Sequence, residues 1–278
     1  MTTGLVTSLD HLVLTVADID ATCDFYVATL GLERVAFGDG RVALRFGDQK
    51  LNLHSADRPQ HPVPARAAPG TADFCFRTDQ PVGQVLRRLR AASVPLVAGP
   101  VQRTGATGAI VSVYFFDPDG NLVEIAARAD RIGAFDVHSA EPCDRLPVEV
   151  MLTGADLPLD GLDDAWPHML VVRDHGRTVA AAGIEMYGAA GLLRSVVVDA
   201  RLRGQGIGEE LVWRSLARGR ARGLDSAWLL TFVPDWFERL GFQPVARTAA
   251  PEALRASAEF RGACPETAVL MTKRGGCG

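Results

Sequence analysis

The 278-residue chain contains no apolar stretch approaching the ~20 residues that a membrane span requires, and its N-terminus lacks a basic flank followed by an apolar signal region. The expected location is the cytoplasm. No two of its five cysteines (Cys23, Cys75, Cys143, Cys264 and Cys277) are spaced as CxxC, and their odd number and wide scatter argue against a disulfide framework or a zinc knuckle. Reduced thiols follow. Basic charge is not in excess either: 29 Lys and Arg against 33 Asp and Glu give a net charge of −4, so no positive field exists for nucleic acid or an anionic membrane. The expected partners are small molecules or a second copy of the chain. Low-complexity segments are absent. What is present is a 47% hydrophobic, 22% charged sequence long enough for two globular domains with cores of their own.

The densest linker signal is "RIGAFDVHSAEPCDRLP", where Pro142, Pro147 and scattered polar residues interrupt any helical or alternating period. It predicts a domain over 1–130, a linker over 131–147 and a domain over 148–278. The first domain tells one story twice. A strand-like "HLVLTV" from His11 is followed by the N-cap Asp18, a helical "IDATCDFYVATL", the stop Gly31, and "RVALRFGDQKLNLH" as two strands about a polar turn. The second telling starts at "DFCFRT", passes through a helix with Val82, Val85, Leu86 and Leu89 on one face, and ends in "IVSVYFFDPDGNLVEIA". Each copy reads as one β-α-β-β-β unit, so the expected class is α+β for this half.

Setting Phe46 over Phe116 brings His54 onto Glu124, each eight residues after its phenylalanine, and setting "HLVL" over "DFCF" brings His11 onto Asp73. Four metal-ligand side chains thus occupy two structural positions, each used twice. If the two units pair about a pseudo-twofold axis, His11, His54, Asp73 and Glu124 converge on a divalent ion such as Zn, Ni, Mn, Co or Fe and leave positions for water or substrate. Asp73 has an alternative role, orienting a histidine from behind. Phe25 and Tyr26 are expected in the core.

Through "LDHLVLTV", "FGDQKLNLH", "GPVQRTGATG" and "DPDGNLVEIA", residues 8–127 resemble the vicinal oxygen chelate superfamily of glyoxalases, fosfomycin- and bleomycin-resistance proteins and extradiol dioxygenases. The resemblance implies metal at His11, His54 and Glu124, with Asp73 as a further ligand, and a lyase- or dioxygenase-type activity. The pattern departs from each named activity in its ligand set.

In the second half, "LLRSVVVDARLRGQGIGEELVWRSLARGRARG" reads as strand, turn and helix, with Leu211, Val212 and Leu216 opening a helical stripe. Its turn, Arg203-Gly204-Gln205-Gly206-Ile207-Gly208, offers backbone N–H groups and a helix N-terminus to an anion, a phosphate above all. It lacks the Lys and Ser/Thr of a P-loop and the third-glycine spacing of a dinucleotide fingerprint. The pattern is similar to the acyl-CoA pyrophosphate loop of the GCN5-related N-acetyltransferases, and residues 148–273 resemble that family, most of all its arsenic-resistance-associated members ("GLLRSVVV", "LLTFVPDWFERLGF", "EFRGACPETAVLMTK"). That implies acetyl-CoA held by Ser195, Val196, Val197, Val198 and Arg203 to Gly208, and a small amine-bearing substrate of the amino-acid-like toxin or antibiotic kind. The tyrosine that often protonates the leaving thiolate in that family is Phe237 here, which excludes acid help from this position.

Glu185 is the expected base, and Arg194, in phase with Val196 and Val198, is expected to pair with a substrate carboxylate. Cys264 reads as a buried structural thiol. The whole chain therefore reads as a paired-module α+β domain followed by an α/β acetyltransferase domain, a bifunctional detoxification or resistance protein. The rival reading is a ligand-sequestering protein with a CoA-sensing second half and no turnover. Members of both families often pair, which allows a homodimer.

Overall fold

The computed structural model describes residues 4–274; Cys277 lies outside the described residues. The chain opens with β1 (His11–Val16), α1 (Ile19–Leu30), β2 (Glu33–Phe37), β3 (Arg41–Phe46) and β4 (Gln49–Ser55). It then repeats the order as β5 (Asp73–Thr78), α2 (Val82–Ala91), β6 (Ala98–Gly105), β7 (Gly108–Phe116) and β8 (Leu122–Arg128). Two four-stranded sheets follow, β1-β4-β3-β2 and β5-β8-β7-β6, with the same strand order. The repeat expected from the sequence is thus an architectural one.

Local chemistry explains the elements. The Asp18 carboxylate accepts from the N–H groups of Asp20 and Ala21 and starts α1, and Gly31, at φ 73°, ends it in the left-handed conformation that a side chain disfavours. In β1 and β4 the alternation sends Leu14, Val16, Leu51 and Leu53 into the core with Cys23 and Tyr26 of α1. His11, Val13 and Thr15 alternate onto the other face.

Asp117 is the buried charge that organises the second turn. Its carboxylate accepts from the Tyr26 hydroxyl at 2.9 Å, the backbone N–H groups of Asp119 and Asn121 at 3.0 and 2.8 Å, and the Asn121 side-chain amide at 2.9 Å. Burial and this carboxylate raise the Tyr26 phenol well above its ordinary value. Truncation in Asp117→Ala strands the Tyr26 and Asn121 donors, and each buried unpaired group costs about 1–3 kcal/mol. The expected result is a loss of roughly 3 kcal/mol in urea unfolding followed by tyrosine fluorescence, whereas Asp119→Ala, at a half-buried position, loses less.

The third sheet contains β9 (Arg131–Ile132), β10 (Phe135–Ser139), β11 (Leu170–Asp174), β12 (Arg177–Tyr187), β13 (Ala190–Val198), β14 (Ser226–Thr231), β15 (Gln243–Pro244) and β16 (Val269–Arg274), in the order β15-β16-β14-β13-β12-β11-β10-β9. Its helices are α3 (Arg145–Thr153), α4 (Leu162–Ala165), α5 (Ile207–Arg220), α6 (Pro234–Glu238) and α7 (Glu252–Arg255). Ile207 and Leu211 of α5 pack with Val172, Val179 and Ala180 in one core cluster; Val148 and Leu152 of α3 pack with Leu162, Val171 and Val197 in another.

The linker expected over 131–147 is corrected here. β10 pairs antiparallel with β11 from Asp136 opposite Arg173 to Ser139 opposite Leu170, and Val137 is buried in the core, so this stretch is part of the C-terminal sheet. By internal contacts the first compact unit is Met1–Phe76, Val85–Val97 and Tyr114–Ile125; the second is Arg77–Gln84, Ala98–Val113 and Ala126–Gly278. Among the described residues no helix is long and apolar enough to cross a membrane.

Candidate functional site

The four expected metal ligands do not assemble as the sequence register suggested. His11 lies opposite Lys50 in the parallel β1–β4 ladder, and His54 lies opposite Thr15, four residues further along, or about 13 Å of strand. In the second module the Leu122 N–H bonds to the carbonyl of Ala72, the residue before Asp73, and Cys75 lies close enough to Glu124 for that carboxylate to raise its thiol. Glu124 thus stands two residues past Asp73, and its counterpart two residues past His11 is Asn52, opposite Val13.

The misalignment has a plain cause. Gly47 and Asp48 alone turn β3 into β4, whereas Asp117 to Asn121 separate β7 from β8, so equal counts from Phe46 and Phe116 reach different ladder positions. Among the described residues no three of His11, His54, Asp73 and Glu124 bring ligand atoms within 4.8 Å of one another. The His11 imidazole Nδ1 meets Asp10 at 2.7 Å, and burial and Arg41 lower the His54 imidazole. Burial, Glu124 and Asp73 push the Cys75 thiol up to about 12. The four side chains are therefore not gathered into one ligand set in this structure. Sequence reasoning missed Asn52, which is 8% exposed with its Oδ1 lacking any hydrogen-bond partner, and Cys75.

In the second half the expected loop fits an acyl donor. β13 pairs with β14 only from Ala190 opposite Ser226 to Leu192 opposite Trp228; beyond that the strands part, and the β14 side of Leu193 to Val198 carries no ladder. Free backbone groups of this kind suit the amide-bearing pantetheine arm. The loop then turns through Gly204 and Gly206, both at φ 81°, and Gly206 is the N-cap of α5 with no side chain capping the helix. A Cβ on Gly204 would meet nothing within 4 Å, so what these glycines supply is conformation and open approach to the backbone. The Arg203 guanidinium donates to the Val198 carbonyl at 3.2 Å and ties the loop to the end of β13. Ser195, Val196, Val197, Val198 and Arg203 to Gly208 are thereby contiguous in space. Phe237 is buried against Trp236 and Phe242 and offers no proton.

Glu185 and Arg194 are brought together, but in roles other than those expected. Arg194 Nη1 donates to Glu185 Oε1 at 2.8 Å, and Tyr187 donates its hydroxyl to Glu185 Oε2 at 2.5 Å, so both carboxylate oxygens are taken. Arg194 itself, with a fully buried side chain, also meets Glu259 Oε1 at 3.4 Å, the Ser195 hydroxyl at 3.2 Å and the Pro158 carbonyl at 3.1 Å. Its buried guanidinium is engaged by these protein acceptors rather than presented to a substrate carboxylate, and Glu185 is not a free base. The phase argument failed at a bulge: Gly183 pairs with Arg194 and Ala181 with Val197, leaving two β13 residues, Ser195 and Val196, against one on β12. Ser195 carries a φ of 56°, and Arg194 shares the face of Val197 rather than of Val196 and Val198. Glu259, on the irregular turn Glu259–Ala263, escaped the sequence reading; burial pushes its carboxyl up to about 7 against the opposing pull of Arg194. Cys264 is buried as expected, its thiol raised by burial and Glu259.

Comparison with known proteins finds two families along the chain. Residues 8–125 match the Glyoxalase/Bleomycin resistance protein/Dioxygenase superfamily, and residues 138–242 match the Acetyltransferase (GNAT) family. The virulence protein STM3117 of Salmonella typhimurium is 48% identical over 122 residues, which is 44% of this chain and 85% of that protein. The glyoxalase domain-containing protein RDO1 of Mycosarcoma maydis is 45% identical over 125 residues, 45% of this chain and 70% of its own. Among solved structures, N-acetylglutamate synthase from Neisseria gonorrhoeae, complexed with coenzyme A and N-acetyl-glutamate, shares 18% identity over 55% of this chain and 37% of that one, with a TM-score of 0.47.

Proposed function

The chain belongs to the glyoxalase/bleomycin resistance protein/dioxygenase superfamily through its N-terminal residues and carries a GNAT acetyltransferase domain behind them, and from that premise we propose that it modifies a small toxic or antibiotic-like amine by acetyl-CoA-dependent N-acetylation. The observation that supports this best is the pair of left-handed glycines, Gly204 and Gly206, at the uncapped start of α5, beside the strand edge that β13 exposes where it leaves β14. Acetyl-CoA supplies an activated thioester. The protein's part is to hold it: loop N–H groups and the positive end of α5 face the pyrophosphate, and Leu193 to Val198 face the amide-bearing arm.

The polar face of the N-terminal sheets serves, in the same reading, to bind a small molecule. The separation of His11 from His54 along the β1–β4 ladder favours ligand binding over a metal reaction for this half. The deciding experiment follows free-thiol release from acetyl-CoA across amino acids, their phosphinic and arsenical analogues, and aminoglycosides. Turnover with at least one amine is expected. CoA binding without turnover on any amine would replace the transferase with a CoA sensor.

A further inference from the structure

The second compact unit carries an open-sided cavity of about 340 Å³, all of whose lining residues lie within that unit. This is the small end of the range for ligand pockets. Part of its wall is apolar, from Ile110, Val137, Leu170 and Ala217, and part is arginine: Arg128, Arg214, Arg218 and Arg222.

Two of these charges are already neutralised. Arg128 makes a two-pronged contact to Asp130 at 2.9 and 2.6 Å. Arg214 pairs with the buried Glu210 and spends its other N–H groups on the carbonyls of Arg128, Ala129 and Arg131. Arg218 and Arg222 differ. Arg218 donates to the Ser139 hydroxyl at 2.8 Å and Arg222 to the Arg218 carbonyl at 3.1 Å, and neither meets a carboxylate among the described residues. Arg218 lies in the last turn of α5 and Arg222 two residues beyond its end, and the two like charges repel.

The positive potential registers on a neighbour. His168 is held below the ordinary imidazole range by burial and by Arg222 and Arg218, and the Arg218 guanidinium is itself lowered by burial and Arg222. Arginines at a helix C-terminus complement its dipole, but the dipole alone gives no reason for a cavity beside them. Two arginines lining one cavity without carboxylate partners, with the Ser139 hydroxyl and an apolar wall beside them, are complementary to an oxyanion that carries a short organic body.

We infer that this cavity binds a small organic oxyanion, a phosphorylated or carboxylated metabolite, through Arg218 and Arg222. The acyl-donor loop lies at the opposite end of the 14-residue α5, about 20 Å away, so the two sites are distinct.

The test uses the full chain at low ionic strength, with CoA present to fill the loop, and titrates inorganic phosphate, glycerol 3-phosphate and succinate by calorimetry; the same titrations are repeated in Gly206→Asp, where the loop is blocked. Saturable binding of at least one probe is expected in both backgrounds. The phosphate and carboxylate arms tell the two sources of oxyanion apart. The double variant Arg218→Gln/Arg222→Gln is expected to bind that probe about tenfold or more weakly, with CoA affinity unchanged. Absence of binding by every probe, or equal binding in the double variant, overturns the inference.

Discussion

Gly206→Asp is expected to weaken CoA binding by about 100-fold or more, measured by calorimetry on a protein whose thermal melt stays cooperative. Two effects combine. Gly206 sits at φ 81°, where any Cβ costs roughly 1 kcal/mol of strain. The larger effect is electrostatic: the aspartate places a carboxylate at the mouth of the uncapped α5, against the pyrophosphate that the proposed site would hold, and like charges so placed cost several kcal/mol. Since each ~1.4 kcal/mol is a factor of ten, strain alone predicts only about a fivefold loss for Gly206→Ala and the charge supplies the rest. The alanine control therefore separates conformation from charge. Undiminished CoA affinity in Gly206→Asp would place the acyl donor elsewhere on the molecule.

Much of this architecture was readable because it rests on local rules repeated along the chain. Asp18 and Gly31 bound α1 as cap and stop, Val82, Val85, Leu86 and Leu89 are all buried, and the doubled β-α-β-β-β order returns as two sheets of identical strand order. What was not readable depends on lengths and partners that no period encodes. The count from phenylalanine to His54 and Glu124 assumed equal turns, and the Asp117-centred turn is longer because four donors converge on that carboxylate. β10 looked like linker because it has only one deeply buried residue, Val137, among Asp136, His138 and Ser139, and its outer neighbour β9 is only two residues long. A single bulge at Ser195 moved Arg194 to the opposite face from the one its alternation implied, and Glu259 has no sequence relation to the arginine it meets.

That buried cluster carries the other large expectation. Arg194→Met should destabilise the protein by about 3–5 kcal/mol at pH 7, because it leaves Glu185 and Glu259 buried without their shared counter-charge. The sign of the pH dependence identifies the cause. In the wild type the Glu259 carboxyl is raised from 4.5 to about 7, so between those values the folded state binds more protons than the unfolded state, and stability falls as pH rises through this window. Removing Arg194 withdraws the cation that lowers Glu259 and pairs Glu185, so the variant's melting temperature should climb more steeply than the wild type's on acidification from pH 7 toward pH 5. Glu259→Gln should flatten the wild-type slope in the same window. The neutral triple variant Arg194→Met/Glu185→Gln/Glu259→Gln should recover most of the loss, because a buried ion cluster removed as a whole costs far less than one left with unpaired charge. Arg194→Met with wild-type stability at pH 7, or with a pH profile parallel to the wild type's, would show that the guanidinium does not neutralise these carboxylates in solution.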